Sequence, residues 1–319
     1  MKPLVKSKLI MGLAAMALLA NTFAAPAKSS NEPSPSFSVR SWKSGTHTIT
    51  VDGRERTFLL DLPKKLRPGA ALVMVFHGYS DSAENARKRL GFTRLVAQHG
   101  FVAVYPQGTP DDSGNNFFNV GYAFHKDMKV NDVKFARDLA ARLVHDLGLD
   151  PRSVFATGAS NGGDMCYFLA CQPQPFVFAI APVAGTMMAV WTNEFSPHAR
   201  TSVMAVNGTR DQTTLWAGDI LNREGWGAYL GIEGVMDFWV KNLSLEKTET
   251  VEPAKVLSKT DLRVHLHRWW TRVDKTEVRL YKIQGGVHDW PGHLSDPHTS
   301  TAAEIWRFFQ NHRPRSNKE

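Results

Sequence analysis

The chain has 319 residues, 43% of them hydrophobic and 21% charged, a balance that fits an ordinary globular protein with a substantial core. Its formal charge of +8 is a mild excess spread along the sequence, with no block of like charges to suggest a nucleic-acid-binding arm. A solvated basic surface is the expectation, and no nucleic-acid partner is expected.

The N-terminus reads as a secretory signal over residues 1–24. Lys2, Lys6 and Lys8 precede an apolar run from Leu9 to Ala20, and Thr22-Phe23-Ala24 forms a small-x-small cleavage site, with Ala27 as a second possible site. The apolar run is well short of the roughly 20 residues that span a bilayer, so export without a stable membrane anchor is expected, to the periplasm or beyond. Removing the three lysines of the leader leaves a charge of +5. Residues 25–36, rich in Ser and Pro and almost free of large apolar side chains, read as a disordered linker. Residues 37–312 are expected to form one catalytic domain, followed by a tail over 313–319.

Within that domain, "HTITVDGRERTFLLDLP" alternates around Asp52-Gly53, which predicts a β-hairpin. Continuous apolar runs follow at 71–76, 101–106, 153–158, 176–185, 201–208 and 277–283; runs apolar on both faces suit a parallel sheet covered by helices. Helix-like stretches lie between them. In "DVKFARDLAARLVHDLG", Val133, Phe135, Ala136, Leu139, Ala140, Leu143, Val144 and Leu147 recur at helical spacing and Gly148 supplies the stop. Others are "SAENARKRLGFTRLVAQHG", the stretch after Ser160, "IEGVMDFWVKNL" and the terminal "TAAEIWRFFQNH". Alternating strand and helix predicts an α/β fold with its active edge at the strand carboxyl ends. Cys166 and Cys171 fall five apart on one predicted helix, facing different ways, so a disulfide between them requires the helix to end first, for which Gln172-Pro173 offers a stop.

The chemistry points to "TGASNGGD", residues 157–164. A Gly-x-Ser-x-Gly at a strand-to-helix turn places Ser160 as a nucleophile at a helix N-terminus, where free N–H groups favour developing negative charge. Such a serine needs a base, an acid and oxyanion donors. His77-Gly78 after the strand at 71–76 marks the second oxyanion position, so the backbone N–H groups of Tyr79 and Asn161 are assigned there, with His77 structural. Asp211, in the loop after the strand at 201–208, is the favoured acid over Asp219, Glu224 and Asp237, which lie in or near predicted helices. His288, after Gly285-Gly286, is the favoured base over His293 and His298 in a Pro-rich loop. Ser160, Asp211, His288 is the order of the α/β-hydrolase fold: a mostly parallel central sheet with helices on both faces, here with an N-terminal β-hairpin.

With these residues in view, "VFHGYSDSAEN", "HGFVAVYPQG", "LDPRSVFATGASNGGDMCYFLAC", "AIAPVAGT", "NGTRD" and "GGVHDWPG" resemble, in order, a family of secreted esterases, the polyhydroxybutyrate depolymerase and feruloyl esterase type. The resemblance covers roughly residues 45–312 and implies the α/β-hydrolase fold, ester hydrolysis without metal or organic cofactor, and the same nucleophile, acid and base. It also implies that Asn119 contacts the active-site loop and that Trp290 supports the His288 loop, which makes both candidate substrate-binding residues. The chain departs from the family pattern beside the expected cleft. Asn207-Gly208 precedes the acid, "QTTLWAG" follows it, and Tyr79 and the Phe117-Phe118 region stand where cysteines are common.

Among nine tryptophans, Trp216 is expected in a cleft-lining insertion with a role in substrate binding. The expected substrate is a carboxylic ester, with feruloyl esters of plant cell-wall polysaccharide placed first and a short-chain polyester second. An exported peptidase and a non-catalytic binding protein on the same fold are the rivals from other classes. His265 and His267 alternate on a probable strand and read as a polar face rather than a zinc site.

Overall fold

A computed structural model describes residues 41–193, 200–255, 262–294, 296 and 298–313. The expected leader and linker, and residues 314–319 of the expected tail, lie outside them. Ten strands make the main sheet: β1 (Gly45–Val51), β2 (Arg54–Asp61), β3 (Leu72–Phe76), β4 (Val102–Pro106), β5 (Val154–Ala159), β6 (Ala179–Val183), β7 (Ser202–Gly208), β8 (Lys247–Lys255), β9 (Arg263–Trp270) and β10 (Glu277–Gln284). Their order is β1-β2-β4-β3-β5-β6-β7-β10-β9-β8. The six strands from β4 to β10 are parallel to one another, with antiparallel pairs on either side. Of the antiparallel margins, the β1–β2 hairpin is the expected one. It turns at Asp52 and Gly53, both with positive φ (50° and 74°), which matches the twist of a two-residue hairpin.

The helices are α1 (Ala83–Arg89), α2 (Phe92–His99), α3 (Asp132–Leu147), α4 (Asn161–Ala170), α5 (Ile232–Asn242) and α6 (Thr301–Asn311). Alternate side chains of each central strand enter different layers. Leu72, Met74, Ala156 and Val203 pack with α3, α4 and α5; Val73, Val75, Phe155 and Met204 pack with α1, α2 and α6. Phe309 of α6 stacks on Phe155 at 4.8 Å and Trp306 stacks on Phe101 at 4.0 Å. Full burial of each such aromatic contributes on the order of 1.5–3 kcal/mol. The stretch expected as one helix over 82–100 is two, because Gly91 takes φ 85° and starts a new axis. α4 ends at Ala170 with Cys171 as its cap, and both cysteines are buried with no disulfide between them. No helix among the described residues is long and apolar enough to cross a membrane.

Candidate active site

Ser160 stands between the end of β5 and the first turn of α4, with φ 55° and ψ −122°. A non-glycine residue holds such angles only when its surroundings fix it. Here the Ser160 N–H donates to Val183 O at 2.9 Å, and its carbonyl accepts from the Asp164 N–H at 2.9 Å. The flanking glycines are needed for closeness. A β-carbon on Gly158 would lie 2.6 Å from the Phe76 carbonyl oxygen and 2.7 Å from the Gly162 carbonyl carbon. The turn therefore presses the segment around Ser160 against the end of β3 and leaves the Ser160 side chain at the start of α4.

Asp211 follows β7 and is buried. Its Oδ1 accepts the N–H groups of Thr213 and Thr214, both at 2.8 Å, and its Oδ2 lies 2.8 Å from His288 Nδ1. The two loops are stitched together: Arg210 N–H donates to Gly286 O at 2.8 Å, and Gly285 N–H donates to Thr209 Oγ1 at 2.9 Å. Gly208 permits this approach, since a β-carbon there would meet the Gly286 carbonyl carbon at 2.5 Å. With Nδ1 engaged by the carboxylate, Nε2 is the ring nitrogen left for other chemistry, and the side chain is 27% exposed. The alternative acids sit elsewhere. Asp219 caps its own loop by accepting the Glu224 N–H, and Glu224 and Asp237 are exposed. Of the alternative bases, His293 Nδ1 bonds the Thr299 carbonyl and His298 is exposed.

The loop after β3 passes close to Ser160, because a β-carbon on Gly78 would lie 3.5 Å from Ser160 Cβ. Burial lowers the pKa of His77, so its ring is neutral. Its Nδ1–H donates to Gly78 O at 2.7 Å and its Nε2 accepts the Gly108 N–H at 2.9 Å, which fixes the loop as a structural residue would. Among the described residues, neither the Tyr79 nor the Asn161 backbone N–H donates to a backbone carbonyl. The Asn161 side chain is committed to the 117–119 segment: Oδ1 accepts Phe118 N–H at 2.8 Å and Nδ2 donates to Phe118 O at 3.0 Å.

A small cavity of about 20 Å³ opens beside Ser160, lined by Tyr122, Asp164, Thr186, Met188, Thr213, Thr214, Trp226 and Tyr229. That volume suits one water or a methyl-sized group. Asp164, one helical turn beyond Ser160, is the feature that motif reasoning missed. It is buried, and accepts the Tyr122 hydroxyl at 2.6 Å and the Thr186 N–H at 2.7 Å. Burial raises its pKa to about 7 despite these bonds and the attraction of nearby His288, with Asp211 pushing the same way as burial. Tyr122 and Trp226, which line the cavity, belong to an aromatic cluster with Tyr79 and Phe124, Trp226 lying 5.1 Å from Tyr122, 5.2 Å from Phe124 and 5.7 Å from Tyr79.

The three expected substrate contacts fare differently. Asn119 is drawn away: its Nδ2 donates to Met128 O and Val130 O, its Oδ1 accepts Gly121 N–H, and it borders a separate surface depression. Holding the 119–130 loop is the role that geometry gives it. Trp216 packs at the edge of the core under Lys282 Nζ, 4.7 Å from its ring centre, and Trp226 lines the cavity in its place. Trp290 packs edge-on against Phe92 at 6.4 Å, bracing the segment that carries His288 without lining the cavity.

Among solved structures, an acetyl xylan esterase from Aspergillus awamori superposes with a TM-score of 0.59 at 14% identity, covering 83% of this chain and 99% of that one. The chain has the α/β-hydrolase fold. Residues 91–217 of the chain also match the family model described as the prolyl oligopeptidase family. Curated relatives of the chain are esterases and a depolymerase. It is 21% identical over 259 residues to a bifunctional acetylxylan esterase/xylanase of Neocallimastix patriciarum, covering 80% of this chain and 33% of the relative. It is 27% identical over 179 residues to poly(3-hydroxyalkanoate) depolymerase C of Paucimonas lemoignei (56% and 41%), and 23% identical over 153 residues to feruloyl esterase B of Piromyces equi (47% and 28%). The chain thus spans less than half the length of each of these relatives.

Proposed function

We propose that this α/β-hydrolase is a serine carboxylic ester hydrolase working through an acyl-enzyme. The observation that carries the reading is the Asp211–His288 pair at 2.8 Å, held by loops at the same sheet edge as Ser160. Ser160 Oγ attacks the ester carbonyl as His288 Nε2 takes its proton, and Asp211 holds the imidazole tautomer and stabilises the cation. The carbonyl oxygen, now negative, accepts from the Tyr79 and Asn161 N–H groups, each contributing about 3–4 kcal/mol in the transition state. His288 returns the proton to the departing alcohol, then activates water to release the acid. The chain's own residues supply every role in this scheme.

For the acyl group, the aromatic cluster of Tyr79, Tyr122, Phe124 and Trp226 supports a feruloyl-type ester of plant cell-wall polysaccharide. A second reading, a short acyl group such as acetyl or a hydroxyalkanoate unit, is favoured by the 20 Å³ volume of the cavity beside Ser160. Parallel assays of methyl ferulate, p-nitrophenyl acetate, p-nitrophenyl butyrate and a hydroxybutyrate oligomer separate the two, with Ser160→Ala as the blank. Preference for methyl ferulate supports the first and preference for the short acyl esters the second. Turnover of a peptide amide in place of all four favours a peptidase instead. Export rests on the leader over residues 1–24, and N-terminal sequencing of protein recovered outside the cytoplasm tests it.

A further inference from the structure

The loop that carries the Tyr79 N–H is gripped along three successive residues by one short ribbon, in which residues 109–110 pair with 116–117. Tyr79 Oη donates to Asp111 Oδ2 at 2.5 Å and accepts from Asn115 Nδ2 at 3.1 Å. Ser80 N–H donates to Asn116 O at 2.9 Å, and Ser80 Oγ donates to Asn115 Oδ1 at 2.8 Å. Asn116 Nδ2 closes the set on Asp81 O at 3.0 Å. Asp111 is in turn the organising group of the ribbon tip. Its Oδ1 accepts the Ser113 and Asn115 N–H groups, both at 2.9 Å, and its Oδ2 also faces His125 Nε2 at 3.2 Å.

Two further observations give this grip a purpose. Ser80 holds φ 63°, a left-handed conformation that a serine adopts only under constraint, immediately after the residue assigned as oxyanion donor. The peptide plane that presents the Tyr79 N–H is thus next to a strained link held by the ribbon. The Asp111 carboxylate is also built to stay ionised. Burial would raise its pKa, but hydrogen bonds from Tyr79, Asn115, His125 and Ser113 hold it well below the usual carboxylate range.

Resting on the serine-hydrolase reading above, we infer that Asp111, acting through the Tyr79 hydroxyl, is a positioning residue for the oxyanion hole. It aims the Tyr79 N–H at the place where charge develops on the substrate oxygen. The Tyr79 ring, packed edge-on to Trp226 at 5.7 Å and Phe124 at 6.1 Å, anchors the same loop from the apolar side. Removing only the hydroxyl therefore tests aim apart from packing.

The experiment measures kcat, KM and affinity for a trifluoromethyl ketone, whose adduct with a serine oxygen presents an oxyanion, in the parent chain, Tyr79→Phe, Asp111→Asn and Asp111→Ala. p-Nitrophenyl acetate is the substrate, Ser160→Ala the blank, and thermal melting the check on folding. Tyr79→Phe and Asp111→Ala are expected to lower kcat about 10- to 100-fold, less than the roughly 10²- to 10³-fold lost with a whole oxyanion donor. KM is expected to stay within about threefold, while ketone affinity falls in parallel with kcat. Asp111→Asn, which keeps one acceptor and the ribbon turn, is expected to retain more activity than Asp111→Ala. If Tyr79→Phe melts like the parent and keeps kcat within about twofold, or loses only through KM, the positioning role is overturned. A parent chain with no Ser160-dependent turnover overturns the serine-hydrolase reading and this role with it; an active parent with an indifferent Tyr79→Phe overturns the role alone.

Discussion

Asp211 Oδ2 lies 2.8 Å from His288 Nδ1, although 77 positions of sequence separate the two residues. The contact exists because β7 and β10 are parallel neighbours, so the loops leaving their carboxyl ends emerge side by side. β6 is the next strand, and Val183 at its end accepts the Ser160 N–H. Parallel strand order thus brings three loops distant in sequence to one edge of the sheet, and rigid strands rather than flexible loops set their spacing.

Substitution within this constellation is expected to act unequally. Ser160→Ala is expected to lower kcat on the order of 10⁶-fold, and Asp211→Asn about 10⁴-fold, because the acid orients the base and does not react. Steady-state assays with p-nitrophenyl acetate provide the comparison. Full activity in Asp211→Asn would show that another group orients His288.

Asp164 gives the protein a pH signature. Its pKa is about 7 when folded against an ordinary value of 3.8, so the folded chain holds this proton more tightly than the unfolded chain. The resulting stabilisation is fully present below about pH 4 and is lost as pH rises through 7; its size is on the order of a few kcal/mol. Asp164→Asn removes the titration. The difference in unfolding free energy between parent and variant, measured by urea denaturation from pH 4 to 8, is expected to fall with rising pH. A flat difference would mean that the carboxyl ionises normally in the folded state.

Much of the architecture was legible because the central strands are apolar on both faces and short. The runs at 71–76 and 201–208 became β3 and β7 within a residue, and alternation on both sides of Asp52-Gly53 marked the first hairpin. The C-terminal margin was less legible. β8 reads "KTETVEPAK", charged and with a proline, as suits an edge strand, and its pairing with β9 shifts register between Val251 and Ala254. At the site, glycine spacing and element order pointed to Ser160, Asp211 and His288. Asn119, Trp216 and Asp164 could not be placed that way, because each depends on which loop its side chain meets: 128–130 for Asn119, Lys282 for Trp216, Tyr122 and Thr186 for Asp164.

Away from the sheet edge, Arg56 and Asp132 form an ion pair at 2.5 Å with both side chains almost wholly buried. The guanidinium also lies 4.0 Å over the Phe135 ring, and Asp132 Oδ2 accepts the Asn119 N–H at 2.7 Å. Asp132→Ala would leave Arg56 charged, buried and unpaired, and is expected to cost about 3–5 kcal/mol of stability by denaturant titration. A loss below about 1 kcal/mol would mean that water or another group reaches the guanidinium.

The elbow offers a final test, through two glycines, one crowded at the end of β5 and one open in α5. Gly158→Ala places a methyl 2.6 Å from the Phe76 carbonyl oxygen and 2.7 Å from the Gly162 carbonyl carbon, so the backbone on one side must move. Overpacking of this kind costs about 1–3 kcal/mol, and a shift of Ser160 by about 1 Å is enough to lower turnover on the order of 10²-fold. Gly234 in α5 has nothing within 4 Å of the corresponding position, so Gly234→Ala is expected to raise stability by about 0.5–1 kcal/mol and leave turnover unchanged. The pair is read by melting temperature and kcat together. Equal behaviour of the two variants would mean that the elbow tolerates a side chain at 158 and that close approach to β3 does not fix the position of Ser160.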